Sequence, residues 1–148
     1  MPYLQVRSLE LTSDRRVAVA KRLTDEINDL FYHPRARLTR EELRERTTVH
    51  FIPYKMDELF VGGRTSAERG KIDVTIELAD WYMSIRQQRR VAKVLTPVLA
   101  ELFDVPPAGL DEINIVFRPY PPTNFAVGGR LLADLIPRIG QFFKRIFN

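Results

Sequence analysis

Phe51-Ile52-Pro53-Tyr54, followed by Val61-Gly62-Gly63-Arg64, returns as Phe117-Arg118-Pro119-Tyr120, followed by Val127-Gly128-Gly129-Arg130, at an offset of 66 positions (117 − 51). A block upstream repeats too. Val19-Ala20-Lys21-Arg22-Leu23-Thr24 recurs as Val91-Ala92-Lys93-Val94-Leu95-Thr96 at an offset of 72 (91 − 19), and both copies run on to Leu-Phe, at Leu30-Phe31 and Leu102-Phe103. Blocks in the same order at nearly the same separation mean that the chain consists of two related halves. The fall in offset from 72 to 66 puts extra residues between the two blocks of the first half, where Arg35, Arg37, Arg40, Arg44 and Arg46 lie. This segment reads as an insertion. Its arginines alternate with Glu41, Glu42 and Glu45, the pattern of a solvated, salt-bridged helix face.

Each half reads as strand, helix, strand, hairpin. Ile72, Val74, Ile76 and Leu78 alternate with Asp73, Thr75 and Glu77, and Pro2 to Leu9 alternates more weakly through Leu4 and Val6; both are strands. Val17, Ala20, Leu23, Ile27, Leu30 and Phe31 fall on one helical stripe, with Ser13 as the expected N-cap and Asp14 in the first turn. Ser84 has the same place ahead of Val91, Leu95, Val98, Leu99, Leu102 and Phe103; Pro97 in that stripe should bend the helix or mark its solvent side. Second strands are expected at about Thr47 to Pro53 and Glu112 to Pro119, and each Gly-Gly pair supplies the positive φ of a tight hairpin turn. A strand-helix-strand unit of this length makes a parallel pair with a right-handed crossover. Two such units predict an α+β fold, a four-stranded mixed sheet with two helices on one face. We expect one domain over 1–148, with halves at 1–70 and 71–130 and an amphipathic extension at 131–148. Apolar residues remaining on the other sheet face suggest cover by further copies of the chain.

Composition limits the chemistry. The 148 residues are 45% hydrophobic and 28% charged, the balance of an ordinary globular chain. Cysteine is absent and His33 and His50 are the only histidines, so thiolate chemistry is excluded and neither a metal nor another cofactor is expected. No histidine or carboxylate partner sits at metal spacing from either, and they read as a loop residue and a strand-surface residue. The formal charge of +4 does not choose between an anionic ligand and solubility, and no nucleic-acid partner is expected. Charges interrupt every apolar run before the length of a membrane span, and the N-terminus MPYLQVRSLE lacks the pattern of a secretory signal. The cytoplasm is the default location.

Met1-Pro2 leading straight into a strand, the doubled β-α-β unit and Asn124-Phe125-Ala126-Val127-Gly128-Gly129 together resemble the tautomerase superfamily, specifically a 4-oxalocrotonate tautomerase-type subunit duplicated within one chain. The last stretch is similar to that family's His-Phe-Gly-Ile-Gly-Gly segment, and the resemblance runs from Pro2 to about Ala133. It implies a homotrimer of fused chains and a small carboxylate-bearing substrate. It also implies that Pro2, freed by loss of Met1, carries a proton between carbon and oxygen of a dienol or 2-oxo acid. The chemistry is sound: a secondary amine held rigid by its ring is both nucleophile and base, provided that burial among apolar groups and nearby cations leaves it unprotonated. If Met1 stays, Pro2 is an ordinary tertiary amide. The second half starts Gly70-Lys71-Ile72, so at most one such site per chain is expected.

The departures from the family pattern lie in its arginines. One falls on Thr12, the other on Asn114 in one half and Thr48 in the other. Arg118, four residues after Asn114 and on the same strand face, is the leading replacement carboxylate anchor, with Arg7, Arg15 and Arg86 near the relevant element ends. The expected site is therefore Pro2 as catalytic group, with Arg118, Asn114, Phe125 and Arg15 binding substrate. Phe125 can equally be core packing. Tyr54 and Tyr120 recur through the duplication and read as structural, and Asp80-Trp81-Tyr82-Met83 as an aromatic insertion that walls a pocket or is buried at a subunit contact, the contact being expected first. Ala18-Val19-Ala20-Lys21 and Leu23-Thr24-Asp25 also resemble cis-3-chloroacrylic acid dehalogenase. Its helix histidine, tyrosine and glutamate fall on Ile27, Val116 and Val127, so dehalogenation is not expected. The competing reading is a catalytically silent oligomeric scaffold on the same fold. Beyond the resemblance, Leu132, Leu135, Ile136, Ile139, Phe142, Phe143, Ile146 and Phe147, with Arg138, Lys144 and Arg145, form a basic amphipathic stretch. Packing against the oligomer is expected of it ahead of membrane contact.

Overall fold

A computed structural model describes residues 1–34 and 38–136. The C-terminal stretch from Pro137, with Arg138, Lys144 and Arg145, and the insertion's Arg35 and Arg37 lie outside the described residues. The chain runs β1 (Tyr3–Leu9), α1 (Ser13–Phe31), α2 (Arg40–Glu45), β2 (Thr48–Tyr54), the short pair β3 (Phe60–Val61) and β4 (Arg64–Thr65), and α3 (Ser66–Arg69). The second half repeats this as β5 (Val74–Trp81), α4 (Ile85–Leu102), β6 (Ile113–Tyr120), β7 (Ala126–Val127), β8 (Arg130–Leu131) and α5 (Leu132–Leu135).

The sheet order is β2-β1-β5-β6. Each half contributes a parallel pair, β1 with β2 and β5 with β6, and the halves join through antiparallel β1 and β5. The result is the mixed four-stranded sheet expected. Leu4, Val6, Ile76 and Leu78 project from the central strands onto Leu23 and Ile27 of α1 and Leu95 and Leu99 of α4, all completely buried. Period two on the strands and 3.6 on the helices therefore meet in one apolar layer. Both hairpins turn on their glycine pairs, with φ of +59° and +75° at Gly62 and Gly63 and +57° and +76° at Gly128 and Gly129, values that a Cβ disfavours at two successive positions.

One local expectation changes. Thr12, not Ser13, caps α1, its hydroxyl accepting from the Arg15 N–H, because Thr12 is the last extended residue before the helix. Pro97 leaves α4 unbroken from Ile85 to Leu102 and faces solvent. The inserted segment of the first half forms α2, tied to α1 by Arg40 on Asp29 (2.5 Å), Arg44 on Asp25, and the buried Asn28 amide donating to the Arg40 carbonyl (2.7 Å).

The uncovered sheet face is more polar than expected. Ile52, Ala79, Trp81 and Val116 lie on it by register, but Glu77 at its centre reaches Arg118 at 3.4 Å and Arg7 at 3.9 Å, and Tyr3 bonds His50 Nδ1 at 2.9 Å. Among the described residues no helix is long and apolar enough to cross a membrane.

Candidate functional site

The register of β1 against β5 builds the site. Tyr3 pairs with Ala79 and Leu4 with Leu78, so one further step sets Pro2 opposite Asp80. Pro2 is buried, in phase with Leu4 and Val6. Asp80 continues the period-two series Val74, Ile76, Leu78 and is completely buried: a carboxylate occupies a position that the strand's pattern reserves for an apolar side chain. Isolated, such a group would be strongly penalised. Here its Oδ1 receives the Met1 ammonium at 2.8 Å, an ion pair at the mouth of the apolar layer.

Tyr120, the last residue of β6, completes the group. Its row in the sheet is Trp81, and its hydroxyl stands 3.4 Å from both the Met1 nitrogen and the Met1 carbonyl oxygen, accepting from the first and donating to the second. Burial, and then the charge of Asp80, push this hydroxyl up to about 12, so it remains protonated throughout the neutral range. The Phe125 ring stacks on that of Tyr120 at 5.7 Å and 25°. The Tyr82 N–H donates to the Tyr120 carbonyl and the Thr48 N–H to the Pro2 carbonyl, which anchors this sheet end from both sides. An amine in contact with both a buried carboxylate and a protonated phenol can accept, store and return a proton.

The other half carries the same frame with different groups. Shifted by the offsets of the repeat, Pro2 becomes Val74, Asp80 becomes Ser8 and Tyr120 becomes Tyr54. Tyr54 donates to the Asp73 carbonyl, and burial raises its hydroxyl also. Arg69 forks onto both Asp73 oxygens at 2.6 and 3.1 Å, with the buried Ser66 hydroxyl at 3.4 Å. No chain-terminal amine stands there, and Arg69 and Asp73 satisfy one another.

Of the residues singled out from the sequence, Pro2 and Phe125 meet at this end. Arg118 and Asn114 share the uncovered face, as their spacing implied; Arg118 is one register row from Asp80 but projects from the opposite side of the sheet, toward Glu77. Arg15 lies past the far end of β1, where it holds the Leu102 carbonyl at 2.7 Å and Asp104 at 2.6 Å. Arg86 stands in the first turn of α4, at the Pro2 end, exposed. Sequence reasoning did not single out Asp80 or Tyr120 as site residues. The signal for Asp80 was present as an acid in phase with three core residues, whereas nothing local distinguishes Tyr120 from Tyr54. Among the described residues no group of three or more His, Asp or Glu side chains is placed to hold a metal ion.

No family model matches the chain, and no curated protein matches it. Solved structures do. Native fused 4-OT superposes with a TM-score of 0.72 at 21% identity over 90% of this chain and 98% of that one. N1, a member of the cis-3-chloroacrylic acid dehalogenase family, gives 0.67 at 22% over 96% and 97%. The macrophage migration inhibitory factor homologue from Prochlorococcus marinus gives 0.64 at 11% over 88% and 98%. A further fused 4-OT, the F6 wild type, which is an asymmetric trimer, gives 0.72 at 17% over 90% and 98%. The chain shares the fold of these structures, two fused β-α-β units as in the fused 4-OT proteins.

Proposed function

Starting from a tautomerase fold with a terminal amine gathered at one sheet end, we propose that the protein is a keto–enol tautomerase whose base is the amine of Pro2, uncovered by removal of Met1. The observation that carries this reading is the contact of the chain's amine with the Tyr120 hydroxyl at the sheet end where Pro2 is buried opposite Asp80. The Pro2 nitrogen gives one proton to carbon and takes one from the enol O–H, so the enol becomes the ketone with no net gain or loss. Tyr120, still protonated, donates a hydrogen bond to the substrate oxygen as charge develops there.

Small dienol or 2-oxo acids, such as phenylenolpyruvate or 2-hydroxymuconate analogues, are the substrate class. Arg118 on the open face binds the carboxylate and Phe125 lines the rim, whereas Asn114 stands in the row of Thr75 and Arg7 at the other end of the sheet. Arg15, at the other end of its own sheet, can serve only the Pro2 of a neighbouring copy. That requirement supports a homotrimer, and the F6 fused 4-OT is an asymmetric trimer. The cytoplasm is the proposed setting.

The test is Pro2→Ala, with ketonisation followed by loss of the enol's ultraviolet absorbance. Abolished turnover is expected, and unchanged turnover eliminates the proline mechanism. A second reading, the silent scaffold, draws on the fit of the Met1 ammonium to Asp80: a chain that keeps Met1 has a satisfied amine and a tertiary amide at Pro2. Intact mass of the purified protein separates the two.

A further inference from the structure

The anion beside the terminal amine is opposite in sign to the cations that would free an amine of its proton. Asp80 is completely buried, its Oδ1 is 2.8 Å from the amine, and its place opposite Pro2 follows from the β1–β5 register, so loss of Met1 leaves a Pro2 amine facing the same carboxylate. We propose that Asp80 is a positioning residue that clamps the terminal amine of this chain and holds it as an ammonium at neutral pH, so that proton donation to carbon, rather than abstraction, is the step for which the resting enzyme is poised. This rests on the reading of Pro2 as the reactive amine only for its consequence in turnover; the clamp itself concerns whichever residue carries the amine.

The surrounding charges support the assignment. Tyr120 from β6 contacts the amine but is neutral, and the hydroxyl neither adds nor removes charge below its titration. Among the described residues, Arg86 in the first turn of α4, Arg46 at the end of α2 and His33 past the end of α1 stand toward this end of the sheet, and all three are exposed to solvent, which screens them. Asp80 is screened by nothing but protein. The pseudo-equivalent position makes the same point, because Ser8 occupies it where there is no amine to bind.

The experiment is a 15N NMR titration of protein labelled at proline, or at methionine if intact mass shows Met1 retained, since only a terminal nitrogen titrates. The midpoint is expected to fall by about one pH unit or more in Asp80→Asn, the scale of an adjacent opposite charge, and to recover in Asp80→Glu. Equal midpoints in the parent and Asp80→Asn overturn the clamp. If Asp80→Asn does not fold, the parent protein decides: the Asp80 13Cγ and the amine 15N should share a titration step, and independent curves overturn the proposal. Because the ammonium is the competent form, the alkaline limb of the kcat/KM profile should move down with the amine in Asp80→Asn. Absence of any turnover would defeat the tautomerase reading and leave the NMR result standing.

Discussion

Tyr54 and Tyr120 stand 66 residues apart at the ends of equivalent strands, and each directs its hydroxyl to a carbonyl at the start of the opposing half, Tyr54 to Asp73 and Tyr120 to Met1. The two hydroxyls diverge in what surrounds them. Tyr54 faces a carbonyl whose own side chain is locked by Arg69, whereas Tyr120 faces a titratable amine and Asp80. One frame thus yields a closed end and a reactive end.

Tyr54→Phe should therefore cost stability and Tyr120→Phe turnover. Loss of the buried hydrogen bond to Asp73 is expected to lower unfolding free energy by about 1 kcal/mol in urea titration, with kcat/KM unchanged. Tyr120→Phe should lower kcat/KM about tenfold or more with KM nearly constant, as for a donor used mainly in the transition state. Equal kinetic effects from the two would remove the distinction between the ends.

The raised Tyr120 hydroxyl predicts an alkaline instability. Its folded value, about 12, lies above the ordinary tyrosine value of about 10. The contribution is thus fully present below about pH 10 and is lost as pH rises through the folded value. Unfolding followed from pH 9 to 12 should show stability falling in the upper part of that window, and the fall should be smaller in Tyr120→Phe.

Leu23, completely buried between α1 and the sheet, is the place to test the shared core. Leu23→Ala removes apolar contact and leaves a cavity, a loss of about 2 to 5 kcal/mol. Urea unfolding should register it as one cooperative transition, since α1 and α4 close the same layer. Two separate transitions would mean that the halves fold independently.

Arg118→Ala should lower kcat/KM for a monoacid by roughly ten- to a hundredfold, the cost of about 1.5 to 3 kcal/mol for a lost charge-assisted bond. The comparison is with Arg15→Ala and Arg86→Ala, using one monoacid and one diacid. A silent Arg118→Ala beside an impaired helix-start variant would move the carboxylate anchor to the helix ends.

The fold was legible because its determinants are local and periodic: the alternation of Val74, Ile76 and Leu78, the stripes from Val19 to Leu30 and from Val91 to Leu102, and the paired glycines of each hairpin. The same alternation marked which strand residues share a face, so Arg118 and Asn114 were correctly placed together. It said nothing about which strands would be neighbours. Asp80 became a partner of the terminal amine only when β5 ran antiparallel to β1 and brought position 80 against position 2, a contact across some eighty residues that no local pattern encodes. For the same reason Arg15 and Arg118 looked like free anchors along the chain and acquired Asp104 and Glu77 in the fold. Periodicity follows from backbone geometry and can be read residue by residue. Charge pairing follows from proximity after packing, and only the tertiary structure decides it.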